Sequence, residues 1–230
     1  MAQDFLLKGT NGYGVLLLHT LGGEPDQMKP LGERLNELGF TVYAPLYKGH
    51  GGDFTDVIKT EVSEWYMDCV KGMNTLRKHV EEFFVMGMSI GGTFAVRMAE
   101  QYDLLGVVTM NAPVIGFDLE SDVTNFRTNY SDKDLINTYR AQRERYFHFV
   151  TEIGQTSSVK TIVDPLFVIQ GGLDGDRYKT SSELLMQYAS SKDKHRKDYA
   201  NSSHLILDGE EKEDVINDII EFMKGVLINA

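Results

Sequence analysis

The sequence predicts an α/β protein built on a mostly parallel central sheet with helices on both faces. Three observations carry this expectation. Short apolar runs alternate with segments of helical periodicity along nearly the whole chain, which is the pattern of repeated strand–helix units. Runs such as Val15-Leu16-Leu17-Leu18 and Leu166-Phe167-Val168-Ile169 are apolar without a break, as strands covered on both faces must be. Finally, a serine lies between two glycines in Gly87-Met88-Ser89-Ile90-Gly91, after one such run and before a helical segment. That spacing predicts a sharp strand-to-helix corner with the serine hydroxyl at the head of the sheet.

The elements follow in order. Phe5-Leu6-Leu7 reads as a short first strand, and Gly9-Thr10-Asn11-Gly12 as a turn into the second, Val15–Leu18. Leu31, Leu35 and Leu38 recur at helical spacing and Gly39 follows them as a stop signal. Phe40-Thr41-Val42-Tyr43-Ala44 is a strand halted by Pro45, and a glycine-rich loop, Lys48-Gly49-His50-Gly51-Gly52, comes next. Trp65, Cys69, Met73, Leu76 and Val80 form one stripe of a longer helix. Phe83–Met86 is the strand before the serine corner and residues 92–99 the helix after it. Leu105–Met110 and Leu166–Ile169 are further strands, with a helix around Leu184-Leu185-Met186. Lys197-Asp198-Tyr199-Ala200 is a weak last strand, and Val215, Ile219, Phe222 and Val226 mark a C-terminal amphipathic helix.

Residues 115–160 break this rhythm. The segment shows no buried-strand pattern, is polar and helical in character, and is rich in aromatics. It is far longer than the dozen or so residues a crossover needs. The expected organisation is therefore a core of residues 1–114 and 161–230, with 115–160 inserted as a small helical cap over the strand ends.

Composition narrows the function. A net charge of −11 repels nucleic acid and anionic lipid, so neither is an expected partner. No run approaches the ~18 apolar residues of a membrane span. One cysteine, Cys69, excludes an intrachain disulfide, and the first residues carry no basic, apolar leader. Together these favour a cytoplasmic setting. No Cys/His cluster has zinc spacing, and Gly9–Gly14 precedes a strand instead of following one, so neither metal nor dinucleotide cofactor is expected.

What remains is nucleophilic chemistry. A serine hydroxyl is a weak nucleophile until a base takes its proton. Of the six histidines, His204 fits that role best, because it lies in the small polar loop Asn201-Ser202-Ser203-His204 beyond the last strand. His79 ends a helix, His148 falls in the insertion and His195 in a charged run, so these three read as solvated or packing residues. His19 reads as an organiser of its own loop. The base needs an acceptor on its other ring nitrogen. Asp174, one tight turn past the strand Leu166–Ile169, is favoured over Asp176 because it is nearer the strand end. The order serine, acid, histidine is that of the strand–elbow–helix hydrolases, which place one oxyanion donor after the nucleophile and a second after an early strand. Those donors are the backbone N–H groups of Ile90 and Leu21, the latter in His19-Thr20-Leu21-Gly22-Gly23.

With these residues in place the chain resembles the small bacterial carboxylesterases of the α/β-hydrolase superfamily, close to the monoacylglycerol lipases. The resemblance rests on Leu16–Gly23, Tyr43–Gly51, the serine corner, Val168–Asp174 and Ser203-His204, all in the expected order. It implies an α/β-hydrolase fold with a helical cap, Ser89 as nucleophile, Asp174 as acid, His204 as base, Leu21 and Ile90 as oxyanion donors, and no cofactor. It implies a small-molecule ester as substrate, of short-to-medium acyl length or a monoglyceride. Two departures stand out: relatives usually have His-Gly where this chain has His19-Thr20, and Gly where it has Ser203. The same residues would serve a hydrolase of amides, thioesters or carbon–carbon bonds, or a non-catalytic ligand-binding homologue.

Overall fold

The structure is a computed structural model that describes residues 2–229. Seven strands form one sheet in the order β1-β3-β2-β4-β5-β6-β7. They are β1 Phe5–Leu7, β2 Tyr13–Leu18, β3 Thr41–Ala44, β4 Glu82–Met88, β5 Gly106–Met110, β6 Leu166–Gly171 and β7 Lys194–Tyr199. Only β1 runs antiparallel to its neighbour; every other pair is parallel. The helices are α1 Lys29–Glu37, α2 Phe54–Val57, α3 Val62–Leu76, α4 Ile90–Ala99, α5 Leu119–Asn129, α6 Lys133–Ile153, α7 Thr156–Val159, α8 Asp176–Tyr188 and α9 Lys212–Asn229.

The continuous apolar runs are resolved by the two-residue period of the strand. In β2, Val15 and Leu17 face the layer of α1 and α9, whereas Leu16 and Leu18 face the layer of α3 and α4. All four are fully buried, each side chain contributing about 1.5–3 kcal/mol of apolar burial. The same alternation repeats in β4, β5 and β6. The sheet is thus a wall between two cores, and its carboxyl-terminal edge is where loops from opposite sides meet.

Two elements differ from the sequence reading. The stripe that includes Val80 does not continue as helix: α3 stops at Leu76, and a turn carries the chain to buried Val80. The last strand is longer than expected, because β7 takes in the charged residues Lys194-His195-Arg196 and ends at Tyr199. It is an edge strand whose outer positions are exposed, so charge there blocks further pairing instead of opposing strand formation.

Helices α5, α6 and α7 lie between β5 and β6. The second half of α6 and α7, through Tyr146, Val150, Ile153 and Val159, belongs to the main core. By contrast, α5 and the first half of α6 form a separate apolar cluster of Val123, Phe126, Ile136 and Tyr139 around Ile58. Arg97–Glu152 at 2.7 Å and the Arg145–Glu61 pair tie α6 to the elements beneath it.

Candidate active site

Ser89 follows β4 and precedes α4, with φ 55° and ψ −124°. A non-glycine residue held there stores of order 1–3 kcal/mol of backbone strain, so the neighbours must enforce it. They do so by contact: a Cβ on Gly87 would lie 2.1 Å from the carbonyl carbon of Gly91, and one on Gly91 would lie 2.2 Å from the carbonyl oxygen of Leu18. Gly87 therefore lets the helix start against its own strand, and Gly91 lets it start against β2. The Ser89 N–H donates to Met110 O at 2.8 Å, and the Thr93 N–H donates to Ser89 O at 3.1 Å.

His204 lies 2.9 Å from the serine hydroxyl through Nε2 and 2.8 Å from Asp174 Oδ2 through Nδ1. A carboxylate accepts only, so Nδ1 carries the hydrogen and Nε2 is left to accept from Ser89 Oγ. The second Asp174 oxygen accepts the Gly175 N–H at 2.8 Å. Asp174 is buried whereas the His204 side chain is about a third exposed, at 32%. Asp176, the alternative acid in the sequence, is exposed at the start of α8, and the hydrogen bond to His204 Nδ1 is made by Asp174 instead. The histidine loop is seated by close approach: a Cβ on Gly171 would fall 2.6 Å from Ser202 O and 2.7 Å from Ser203 O. Glu211 also holds it, accepting from Asn201 N–H at 3.0 Å and from Ser202 Oγ at 2.7 Å.

Leu21 and Ile90 stand on the same side of the sheet, after β2 and at the first position of α4. Neither N–H has a hydrogen-bond acceptor among the described residues. The loop bearing Leu21 is braced on both sides. Thr20 Oγ1 donates to Gln27 Oε1 at 2.8 Å and the Thr20 N–H lies 3.4 Å from the same oxygen. Gly23 leaves room for this contact, since a Cβ there would meet Gln27 Oε1 at 2.0 Å. His19 is buried, stacks on Tyr47 with ring centres 3.7 Å apart, and places Nδ1 2.9 Å from Thr20 O. Its Nε2 accepts the Tyr47 N–H at 3.3 Å. Burial, reinforced by the neighbouring His50, pushes its pKa down to about 3 against the pull of the Thr20 carbonyl. His19 is therefore a neutral brace. His50 is likewise buried and pushed down to about 4, with its Nε2 unpartnered.

These groups open on a pocket of about 360 Å³ lined by Thr20, Leu21, Gln27, Ser89, Tyr178 and His204, among others. Larger depressions, of about 570 and 450 Å³, lie beside Arg77–Glu82 and along β7 and α9, away from this constellation. Two pocket residues went unnoticed in the sequence. Tyr178 packs its ring 4.3 Å from that of His204, and Gln27 braces Thr20. Neither carries a motif; the signal for Gln27 was the unusual Thr20, whose hydroxyl needs a partner.

The family described as serine aminopeptidase, S33, matches residues 13–152, more than half of the chain. The chain belongs to this family. Among known proteins, a carboxylesterase of Bacillus subtilis (strain 168) is 27% identical over 96% of this chain and 96% of its own length. A thermostable monoacylglycerol lipase of Bacillus sp. (strain H-257) is 38% identical over a shorter stretch, 44% of this chain and 41% of its own. Among solved structures, one from work on the metagenome-derived lipolytic enzymes LipS and LipT superposes with a TM-score of 0.82 at 20% identity, covering 97% of this chain and 98% of that one. The monoacylglycerol lipase of Paleococcus ferrophilus gives 0.78 at 20% identity, covering 98% and 99%. The family fold is the α/β-hydrolase fold, with its mostly parallel sheet flanked by helices. No helix among the described residues is long and apolar enough to cross a membrane.

Proposed function

We propose that this S33-family protein is a serine carboxylic-ester hydrolase in which Ser89, His204 and Asp174 form the catalytic triad. The observation that carries the reading is the continuous relay from Ser89 Oγ through both nitrogens of His204 to Asp174, at 2.9 and 2.8 Å. Ser89 Oγ attacks the ester carbonyl as His204 Nε2 takes its proton. Asp174 holds the imidazole in the required tautomer and stabilises the imidazolium. The oxyanion rests on the N–H groups of Leu21 and Ile90, each such donor being worth about 2.7–4 kcal/mol in the transition state. His204 then protonates the departing alcohol, and water cleaves the acyl-enzyme by the reverse proton path.

The substrate is a small ester. The pocket is near the lower end of the ~300–1,000 Å³ range of small-molecule sites, and its mixed lining suits an acyl group of short-to-medium length or a monoglyceride. We read residues 115–160 as the inserted cap: α5 and the first half of α6 pack as an apolar cluster of their own, and the second half of α6 with α7 roots the insertion in the main core. An aminopeptidase reading is less well supported. It would need an anionic group to hold a substrate ammonium, and the one carboxylate at the site, Asp174, is committed to His204 and Gly175. A non-catalytic reading is less well supported too: Thr20, the departure beside the oxyanion loop, is held by Gln27, and the Leu21 N–H has no acceptor among the described residues.

The test is turnover of p-nitrophenyl esters from acetate to decanoate by the wild type and by Ser89→Ala. The expected result is a maximum at short-to-medium acyl length and loss of turnover in a folded Ser89→Ala protein. Turnover that survives the substitution would refute the assignment.

A further inference from the structure

We propose that Asn111 is a positioning residue for the catalytic base, its side-chain amide locking the loop that carries His204 onto the strand that leads to Asp174. The proposal rests on the triad reading above. Asn111 follows β5 and is fully buried with φ 51°; it and Ser89 are the two non-glycine residues of positive φ among those described. Its Nδ2 donates twice, to Ser203 O at 3.0 Å and to His204 O at 2.8 Å. Its Oδ1 accepts the Gly171 N–H at 2.7 Å. Two carbonyls on one side and one amide on the other fix the orientation of the side chain without ambiguity.

Through that one amide, three segments far apart in the chain are pinned together. Gly171 ends the strand from which Asp174 turns out, three residues on. Ser203 and His204 form the loop of the base. The Asn111 backbone N–H donates to Ile169 O at 3.0 Å, and the preceding residue, Met110, accepts the N–H of Ser89. The nucleophile, acid and base are thus referred to a single buried residue that touches none of the reacting atoms.

Few side chains meet these demands at once. The left-handed backbone is tolerated best by glycine, then by asparagine and aspartate. Glycine has no amide, and aspartate has no hydrogens for the two carbonyls. A base displaced by about an ångström costs of order a hundredfold in rate, so the seat of His204 has a kinetic signature separate from stability.

The test compares wild type, Ser89→Ala, Asn111→Gly and Asn111→Asp in ester turnover, with near-UV circular dichroism to confirm folding. Asn111→Gly keeps the backbone conformation unstrained and removes only the amide. The expected result is a fall in kcat of about a hundredfold with KM changed less than about threefold. Asn111→Asp keeps the acceptor for Gly171 but sets its second oxygen against the carbonyls of Ser203 and His204. Only the protonated acid can donate there, so its kcat relative to wild type should rise as pH is lowered from ~8.5 to ~6.5. The titratable groups on the bridged segments, Asp174, His204 and Glu211, are common to both proteins and largely cancel in that ratio. A folded Asn111→Gly protein with kcat within about twofold of wild type, or with a raised KM and preserved kcat, overturns the proposal. If Asn111→Gly fails to fold, a ratio for Asn111→Asp that is flat with pH overturns it as well. Wild-type turnover that survives Ser89→Ala strikes down the triad reading itself, and a Ser89-dependent enzyme indifferent to Asn111 strikes down only this inference.

Discussion

Lowering the pH from about 7 to about 5 should destabilise this protein through His19 and His50. Both rings are buried and both are held well below the ordinary imidazole value of 6.5, at about 3 and about 4. The unfolded chain therefore takes up protons that the folded chain refuses, and stability falls as pH drops below about 6.5 toward those two values. At pH ~5 each ring is some 1.5 pH units past its unfolded value, worth about 2 kcal/mol each at 1.36 kcal/mol per unit. Asp164 works the other way. Burial raises its pKa to about 6, so the fold gains some stability as this carboxyl protonates; because it is half exposed, screening keeps that gain under about 1 kcal/mol. The net loss is about 3 kcal/mol, a large part of the 5–15 kcal/mol of a typical domain. Urea titrations at half-unit intervals of pH would show the midpoint falling steadily below pH ~6.5. The variant His50→Phe keeps a ring against Tyr47 and Trp65 and should about halve the slope. A midpoint that stays level from pH 7 to 5.5, or a slope that His50→Phe leaves unchanged, would refute the reasoning.

Three further outcomes follow from the site. Asp174→Asn should lower kcat by about 10⁴-fold with KM nearly unchanged, since the imidazole loses its orienting acceptor; steady-state kinetics would show it, and a loss under tenfold would contradict the role given to Asp174. Gln27→Ala releases Thr20 and loosens the loop of Leu21, so kcat should fall by about tenfold, a fraction of the 10²–10³ lost when an oxyanion donor is removed outright; an unaffected kcat would show that the brace is dispensable. Gly91→Ala places a methyl 2.2 Å from Leu18 O and 2.7 Å from His19 O, backbone atoms that cannot yield cheaply, and should cost at least about 3 kcal/mol in urea titration; a midpoint near that of the wild type would mean the corner is looser than the structure indicates.

The strands of the central sheet were legible in the sequence because burial on both faces leaves an unbroken apolar run. The serine corner was legible because steric contact admits only glycine at 87 and 91. Asp174 and His204, the acid and base of the proposed triad, could be singled out by order and by their place after strands, and the fold brings them within 2.8 Å of each other. What escaped was set by contacts between distant segments. The charged start of β7 resembles a solvated loop, since an edge strand has only part of its surface to bury. Val80 keeps helical phase with Leu76 and Met73, yet the chain turns before reaching it. Glu211 sits in an acidic run before the last helix, and only the folded chain reveals that it grips Asn201 and Ser202. Asn111 and Gln27 carry no local signal: their meaning lies in carbonyls and hydroxyls that come from elsewhere in the sequence.

The elements of the proposed machinery are dispersed one to a strand: Leu21 after β2, Ser89 after β4, Asn111 after β5, Asp174 after β6 and His204 after β7. Ser89 and His204 are 115 positions apart, and Asp174 and His204 are 30. No fragment or half-built intermediate can assemble such a constellation, and parallel pairings across these spans are among the slower events of folding. Recovery of hydrolysis after dilution from denaturant is thus a clock for the last docking of the sheet, trailing the return of helical signal.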